Sequence, residues 1–201
     1  MRKLFGHTVI PSEKNGRIDV HYFFGRPYVF VDGYHESTHY TGAMWRQALG
    51  HLPDEFDAKR ILMLGLGGGS AVRSLLRKFK NCELVIVEWD PAMIQIYKEI
   101  YGDLEHVTII EGDATVIVPA MTEKFDLVLV DLFKGSVTPP ELGSDEMVQA
   151  IANVLTENGY CLLNAFKSLD LPEVFDRHFT QIELWHYQFN MLLLYENHQR
   201  I

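Results

Sequence analysis

Four features of the sequence carry residue types that bind nucleotides, and each comes at the end of an apolar run. They are the glycine cluster Gly65, Gly67, Gly68 and Gly69 and the acids Glu88, Asp113 and Asp131. Glycine has no side chain and tolerates positive φ, so a glycine cluster lets a ligand approach the bare backbone. A carboxylate at the end of a strand can accept hydrogen bonds from ribose hydroxyls. Together these residues predict a nucleotide site.

The elements around the glycine cluster predict how these residues are positioned. Residues 61–64 are apolar and predict a strand that runs directly into the cluster. An apolar face at helical spacing follows, formed by Val72, Leu75, Leu76 and Phe79. A second β-branched run then ends on Glu88. Strand, glycine turn, helix and strand form the first unit of a nucleotide-binding sheet, and the helix N-terminus offers unpaired N–H groups.

The rest of the chain predicts an α/β fold with a doubly wound, mostly parallel seven-stranded sheet. Further strands are predicted over residues 107–110, 125–130, 160–165, 181–186 and 191–195. The connection between the last two is too short for a crossover helix, so we expect that pair to be antiparallel. Because ligands of such sheets bind outside the carboxyl ends of the strands, the glycine turn and the three acids are expected to lie together.

Polar residues next to apolar runs predict where several helices begin and end. Asp90 is the predicted N-cap of the helix after Glu88, and either Thr38 or Thr41 caps an earlier helix. Asp145 is expected to open a later helix, which the Asn-Gly pair at 158–159 closes.

An N-terminal extension precedes the sheet. Strands predicted over residues 18–24 and 28–31 form a small β-hairpin, and the residues before it are an irregular lead-in. Residues 33–39 follow as a polar, aromatic and histidine-rich loop. We therefore divide the chain into an extension, residues 1–53, that lies over the sheet, and a nucleotide-binding α/β domain, residues 54–201.

Composition excludes several classes of protein. The formal net charge of −9 argues against a binder of nucleic-acid phosphates, which needs clustered Lys and Arg. No apolar run approaches the roughly 20 residues of a membrane span. Cys82 and Cys161 lie in apolar runs and are expected to be buried thiols, so we expect a cytoplasmic protein with neither nucleic acid nor membrane as partner. The N-terminal histidines match no metal-ligand spacing, so no metal is expected.

The residues at the strand ends resemble those of a known family. The resemblance is carried by the glycine turn, Glu88, the Gly-Asp-Ala run with Asp113 and Ala114, and Asp131. They resemble the corresponding residues of proteins with the class I methyltransferase fold, which bind S-adenosylmethionine. More narrowly, the chain, including residues 28–53, resembles the spermidine synthase (polyamine aminopropyltransferase) family. The resemblance implies that Glu88 holds the ribose hydroxyls and that Asp113, with Ala114 beside it, holds the adenine amino group. It also implies that Asp131 is the catalytic aspartate, which orients and deprotonates an attacking amine.

Three positions depart from the pattern of that family. Gly68 stands where the family has an acid that grips the aminopropyl end of decarboxylated S-adenosylmethionine. Lys134 replaces a carboxylate that holds the polyamine, and Thr41-Gly42 replaces a His-Glu pair after Tyr40. The backbone N–H groups of the turn can donate hydrogen bonds to the carboxylate of intact S-adenosylmethionine. Both forms of the cofactor are therefore candidates.

The acceptor side of the site is less clearly specified. The predicted acceptor-binding residues are Tyr34, His35, Tyr40 and Lys134. The polar loop, which also holds Glu36 and His39, either lines an acceptor pocket or is solvated. We expect transfer of an aminopropyl or methyl group to a small nucleophile, an amine. The alternatives are a methyltransferase without polyamine activity, a non-catalytic binding protein that has lost its polyamine site, and an NAD-dependent enzyme. Exposed aromatic residues of the hairpin permit a homodimer.

Overall fold

The computed structural model describes residues 4–133, 137–166, 168 and 170–197, and strands and helices alternate along most of that length. The strands, β1 to β11 in chain order, are Phe5–Ser12, Gly16–Phe23, Arg26–Val31, Tyr34–Ser37, Arg60–Leu64, Glu83–Glu88, Val107–Glu111, Phe125–Val130, Leu155–Asn164, Thr180–Tyr187 and Asn190–Glu196. The α-helices, α1 to α6, are His39–Gly50, Ser70–Lys78, Pro91–Tyr101, Ala114–Ile117, Asp145–Val154 and Leu171–His178. Short 3-10 helices lie at Val118–Ala120 and Pro140–Gly143.

A seven-stranded sheet in the order β10-β11-β9-β8-β5-β6-β7 forms the centre of the protein. Strands β5 to β9 pair in parallel, whereas β11 pairs antiparallel with both β9 and β10. The chain begins the sheet at β5, builds outward through β6 and β7, and then crosses to β8 on the other side. This confirms the predicted fold class and the antiparallel closing pair. The crossover makes the β5–β8 edge the switch point, where ligands of such sheets bind.

Helices cover both faces of this sheet, because its inner strands are apolar on both sides. On one face α1 and α2 pack together, with Trp45 and Leu75 in the core. On the other face α5 and α6 contribute Val148 and Phe175. None of the described helices combines the length and the apolar character needed to cross a bilayer.

The N-terminal extension is a four-stranded antiparallel sheet in the order β1-β2-β3-β4, and not the predicted hairpin alone. The predicted lead-in contains β1, which pairs with β2 from Phe5–Phe23 to Ser12–Gly16. The predicted loop contains β4. Both strands were missed because they are mostly exposed or short and lack an alternating apolar face. Backbone pairing, and not side-chain hydrophobicity, places them in the sheet.

The N-terminal sheet is attached to α3 at two places. Its apolar face packs on the helix through Ile18 and Val31, which lie in one cluster with Met93. At the β1–β2 turn, the side chains of Ser12 and Asn15 each donate a hydrogen bond of 2.6 Å to one carboxylate oxygen of the N-cap residue of α3. That residue is Asp90, whose other oxygen accepts from the backbone of the first helical turn, as predicted.

The boundaries of two other helices refine the predicted caps. Thr38 caps α1 and forms a reciprocal capping box with Thr41, so both candidate residues take part. Helix α5 begins at Asp145, but Ser144 is its N-cap. The Asn-Gly pair at 158–159 does not close α5, because the helix ends at Val154 and the pair lies inside β9. The backbone passes directly from helix to strand there, since β9 is already paired with β8 at its first residue.

The N-terminal sheet also fills the space above the glycine turn. A Cβ atom on Gly68 would overlap the Cβ atom of Ser37 and would lie 2.6 Å from Cγ2 of Val29. A Cβ atom on Gly69 would meet the rings of Tyr97 and Tyr101 of α3. These two glycines are therefore required for packing against the N-terminal sheet and α3.

We expect Gly68→Ala to destabilise the protein, because the added methyl group has no room between β3 and β4. Overpacking of this kind costs about 1–3 kcal/mol, which lowers the Tm of a chain of this size by several degrees. Gly50→Ala is the matched control, since nothing lies within 4 Å of a Cβ atom there. Thermal unfolding followed by circular dichroism measures both. Equal melting temperatures for the two variants would contradict the close packing over the turn.

Candidate functional site

The carboxyl ends of the parallel strands surround a cavity of about 700 Å³. Six of the predicted site residues line it, namely Gly65, Gly67, Glu88, Asp113, Ala114 and Asp131. The β1–β2 turn, β4 and the loop after β8 close it from above through Asn15, Glu36 and Pro139. The structure thus brings the strand-end residues to one space, with the N-terminal sheet as part of its wall.

Two glycines of the turn allow backbones to approach closely at the cavity wall. Gly65 has φ +88°, and a Cβ atom there would overlap the carbonyl oxygen of Asp131. Gly67 has φ +51°, and a Cβ atom there would lie 2.9 Å from the carbonyl oxygen of Glu36. Both positions need glycine on conformational and steric grounds. Gly68 and Gly69, predicted in the same role, lie against protein and do not line the cavity.

Glu88 ends β6 and is 5% exposed. Its Oε2 atom accepts a hydrogen bond of 2.8 Å from the backbone N–H of Leu66, and its Oε1 atom accepts one of 2.9 Å from that of Asp90. Burial raises the pKa of Glu88 to about 7, although the backbone hydrogen bonds oppose this change. Since a carboxylate offers about four acceptor sites, Glu88 can anchor the turn and still accept from ribose hydroxyls.

Asp113 and Ala114 lie where β7 passes into α4. Asp113 is the N-cap of α4, and its Oδ1 atom accepts from both the backbone N–H and the hydroxyl of Thr115, at 2.9 and 2.7 Å. Its other carboxylate oxygen has no hydrogen bond within the described part of the chain. A capping role and a ligand contact are therefore compatible at Asp113.

Asp131, at the end of β8, is held by side chains from two other elements. Its Oδ1 atom accepts a hydrogen bond of 2.9 Å from Asn164 at the end of β9, and its Oδ2 atom accepts one of 3.1 Å from the indole N–H of Trp45 in α1. Burial raises the pKa of Asp131 to about 6, and these two hydrogen bonds limit the rise. Trp45 is 1% exposed, and the sequence carries no signal for its contact with Asp131.

Glu36 of β4 is a cavity residue to which the sequence assigned no definite role. It is the extra residue of a β-bulge, because β3 and β4 pair at Val29–Ser37 and next at Phe30–His35. Bulges redirect side chains and are frequent beside active sites. Burial and the nearby charges of Asp131 and Glu88 raise the pKa of Glu36 to about 8. A strand predicted at β4 would have pointed to Glu36, but the residues of β4 are mostly polar and show no strand pattern in the sequence.

Three of the four predicted acceptor-binding residues do not line the cavity. Tyr34 is exposed at the start of β4, and His35 lies 3.2 Å from the hydroxyl of Thr38. Tyr40 faces the closing hairpin, donating to the carbonyl of Tyr187 and accepting from the amide of Asn190. Lys134 lies outside the described residues.

Two acids that follow the loop after β8 differ in their relation to the cavity. Glu141 lines the cavity. Asp145 is instead engaged on the surface by Arg177 and His178, at 2.8 and 3.0 Å. Asp145 is therefore already neutralised by basic side chains.

Histidines of the N-terminal sheet come together with one acid away from the cavity lining. His7 and His21 are cross-strand partners with stacked rings, and ligand atoms of His7, His21 and Asp19 all lie within 4.8 Å of one another. Arg17 donates two hydrogen bonds of 2.8 Å to Asp19, so this carboxylate already has a cationic partner. The grouping arises from strand register, which spacing along the sequence does not reveal.

Comparison with known proteins agrees with this geometry. Residues 61–159 match a family model described as a methyltransferase domain. Over 118 residues the chain is 32% identical to the polyamine aminopropyltransferase of Vibrio vulnificus, covering 56% of this chain and 40% of that protein. A spermidine synthase in complex with the transition state analogue AdoDATO superposes with a TM-score of 0.73 at 18% identity, over 94% of this chain and 73% of its own. The chain is similar to the spermidine synthases and has a class I methyltransferase fold.

A second solved structure supports the fold assignment. The N-methyltransferase NodS from Bradyrhizobium japonicum, in complex with S-adenosyl-L-homocysteine, superposes with a TM-score of 0.64 at 14% identity, over 79% of this chain and 87% of its own. The match to the Vibrio vulnificus protein confirms the resemblance to the spermidine synthase family that the sequence predicted. The chain spans less than half the length of the first curated relatives that it matches.

We expect the protein to lose stability as the pH rises from about 4.5 to about 8. Glu36, Glu88 and Asp131 have raised pKa values in the folded state, so the folded chain holds protons that the unfolded chain has released. The stability that these protonated carboxyls contribute is therefore fully present below the ordinary carboxyl pKa. It is lost as the pH rises through their raised pKa values. Melting temperatures at about pH 5 and about pH 8 measure the change.

The contribution of Glu36 to this pH dependence can be isolated by substitution. Glu36→Gln should show a smaller fall in Tm, by several degrees, because it removes one of the three carboxyls. Glu55→Gln, in an exposed loop, should behave as the unmodified protein does. The same fall in all three proteins would contradict the burial of the Glu36 carboxyl.

Proposed function

We propose that the protein is a transferase that binds an adenosyl sulfonium, either S-adenosylmethionine or its decarboxylated form, and transfers an alkyl group to a small nucleophile, an amine. The observation that carries the proposal is the convergence of the glycine turn, Glu88, Asp113 and Asp131 on one cavity. Solved relatives of the same fold in complex with AdoDATO and with S-adenosyl-L-homocysteine support it.

The residues of the cavity fit such a ligand. Glu88 retains acceptor sites for the ribose hydroxyls, and Asp113 retains a carboxylate oxygen for the adenine amino group. The bare backbone at Gly67 lets a ligand lie against the turn. When bound, the cofactor supplies an electrophilic carbon attached to a positively charged sulfur.

Asp131 is the residue that acts on the nucleophile in this proposal. An amine must lose a proton when it is alkylated, and a carboxylate within hydrogen-bonding reach can orient it and accept that proton. With a pKa of about 6, Asp131 is ionised at neutral pH and remains a usable base. Asn164 and Trp45 hold both carboxylate oxygens, which fixes the direction of the base.

Methyl transfer is the second candidate reaction. The match of residues 61–159 to a methyltransferase domain favours it, as does the absence of an acid at Gly68. Both reactions use the same adenosyl pocket and differ at the end of the ligand beyond the sulfur. Calorimetric titration with S-adenosylmethionine, its decarboxylated form, methylthioadenosine and NAD separates them. Binding of NAD with no binding of the adenosyl thioether or sulfonium compounds would contradict the proposal.

We expect Asp131→Asn to reduce turnover by roughly 10²–10⁴-fold and to change cofactor affinity by less than about threefold, because the base acts on the nucleophile. Release of methylthioadenosine or S-adenosylhomocysteine, with a panel of small monoamines and diamines as acceptors, measures turnover. Asp54→Asn, in an exposed loop, is the matched control. An unchanged rate in Asp131→Asn would remove this residue from the mechanism.

A further inference from the structure

Glu36 is a carboxyl group without a partner in the wall of the cavity. Within the described residues, its side chain forms neither a hydrogen bond nor an ion pair. Its neighbours by charge are the carboxyls of Asp131 and Glu88, which repel it. Glu36 is half-buried, and a carboxylate that faces other acids without a cation is unfavourable to the fold, so this position is better explained by a ligand than by stability.

The position of Glu36 relative to the glycine turn is set by backbone packing. Its carboxylate Oε2 atom lies 3.8 Å from the place that a Cβ atom on Gly67 would occupy. The next residue of β4, Ser37, fills the space in which a side chain on Gly68 would lie. The strand that excludes an acid from the turn therefore supplies an acid one residue earlier.

The charge of the cavity favours a cationic ligand. The described lining contains six carboxyl groups, on Asp32, Glu36, Glu88, Asp113, Asp131 and Glu141. Lys14 is the one cationic side chain of the described lining, and its ammonium lies 5.3 Å from the ring centre of Trp89. A ligand that brings a carboxylate into this space meets repulsion on most sides.

The backbone of the turn offers little to offset that repulsion. The N–H group of Leu66 is bonded to Glu88, and that of Gly69 is bonded to the carbonyl of Leu66. Gly68 and Gly69 do not line the cavity. Among the glycines of the turn that line the cavity, Gly67 alone has an N–H group without a hydrogen bond in the described residues. The turn therefore offers the carboxylate of intact S-adenosylmethionine one donor, although several of its N–H groups were predicted to donate.

We infer that Glu36 is a specificity-determining residue that binds the ammonium at the end of the cofactor and selects the decarboxylated form over the intact form. This inference rests on the proposed function and assigns its cofactor. Decarboxylated S-adenosylmethionine carries a sulfonium and an ammonium and no carboxylate, so it matches the cavity in charge. Glu36, reaching the turn from β4, compensates for the acid that is absent at Gly68.

Calorimetric titration of the full chain and of Glu36→Gln with three adenosyl compounds tests this inference. The unmodified protein should bind decarboxylated S-adenosylmethionine at least about tenfold more tightly than the intact form, as expected for one charge-assisted contact. In Glu36→Gln that preference should fall to within about threefold. The affinity for methylthioadenosine, which has no aminopropyl group, should stay the same. Glu55→Gln is the control for the change in net charge.

The outcomes separate this inference from the proposed function. Failure of the unmodified protein to bind any of the three compounds would overturn both. Binding of methylthioadenosine with no preference between the two sulfonium forms, or a preference that survives in Glu36→Gln, would overturn the role of Glu36 alone. An equal loss of affinity for all three compounds in Glu36→Gln would indicate a structural role and would also overturn it. Glutamine has nearly the shape of a protonated glutamic acid, so the amide replacement is expected to fold.

Discussion

The close approach of three backbones at the glycine turn is the constraint on which the site depends. Gly65 lies against the carbonyl of Asp131, and Gly67 lies against the carbonyl of Glu36. Neither contact is compatible with a Cβ atom, so the absence of side chains at these positions is what brings the ends of β5, β8 and β4 together. Three of the six carboxyls of the cavity wall, on Glu36, Glu88 and Asp131, lie near one another because of this backbone packing.

Bringing these carboxyls together costs free energy of folding when no ligand is bound. Glu88 is buried and Glu36 and Asp131 are half-buried in one space, and the loss of solvent raises the pKa of each. Backbone and side-chain donors compensate Glu88 and Asp131, whereas Glu36 has no such donor in the described residues. A carboxyl without a compensating donor is typical of a site that binds a charged ligand, where stability alone does not determine the residues.

The sequence was sufficient to predict the central sheet and most of the cavity wall. Apolar residues at strand spacing and at helix spacing predicted β5 to β8 and the helices between them. The parallel topology then brings the acids at the strand ends to one edge of the sheet. It was not sufficient for β1 and β4, which are paired through their backbones and carry no apolar pattern. The contact of Trp45 with Asp131 joins residues far apart in sequence, and no local pattern specifies it.

Glu36 shows how one such omission changes the interpretation. Considered in sequence alone, Gly68 is a missing acid and argues against a cofactor that lacks a carboxylate. In the structure, the β-bulge that contains Glu36 brings an acid to the same turn from another strand. Residue type at a single aligned position is therefore a poor guide here, because the chemistry of a cavity depends on every element that reaches it.

A crystal structure of the protein with methylthioadenosine would show whether this cavity is an adenosyl site. We expect the adenine beside Asp113 and Ala114 and the ribose hydroxyls within about 3 Å of the Glu88 carboxylate. We expect the sulfur on the side of the cavity that Glu36 and Asp131 line. A ligand bound outside this cavity, or bound within it with the ribose away from Glu88, would show that the cavity is not the adenosyl site proposed here.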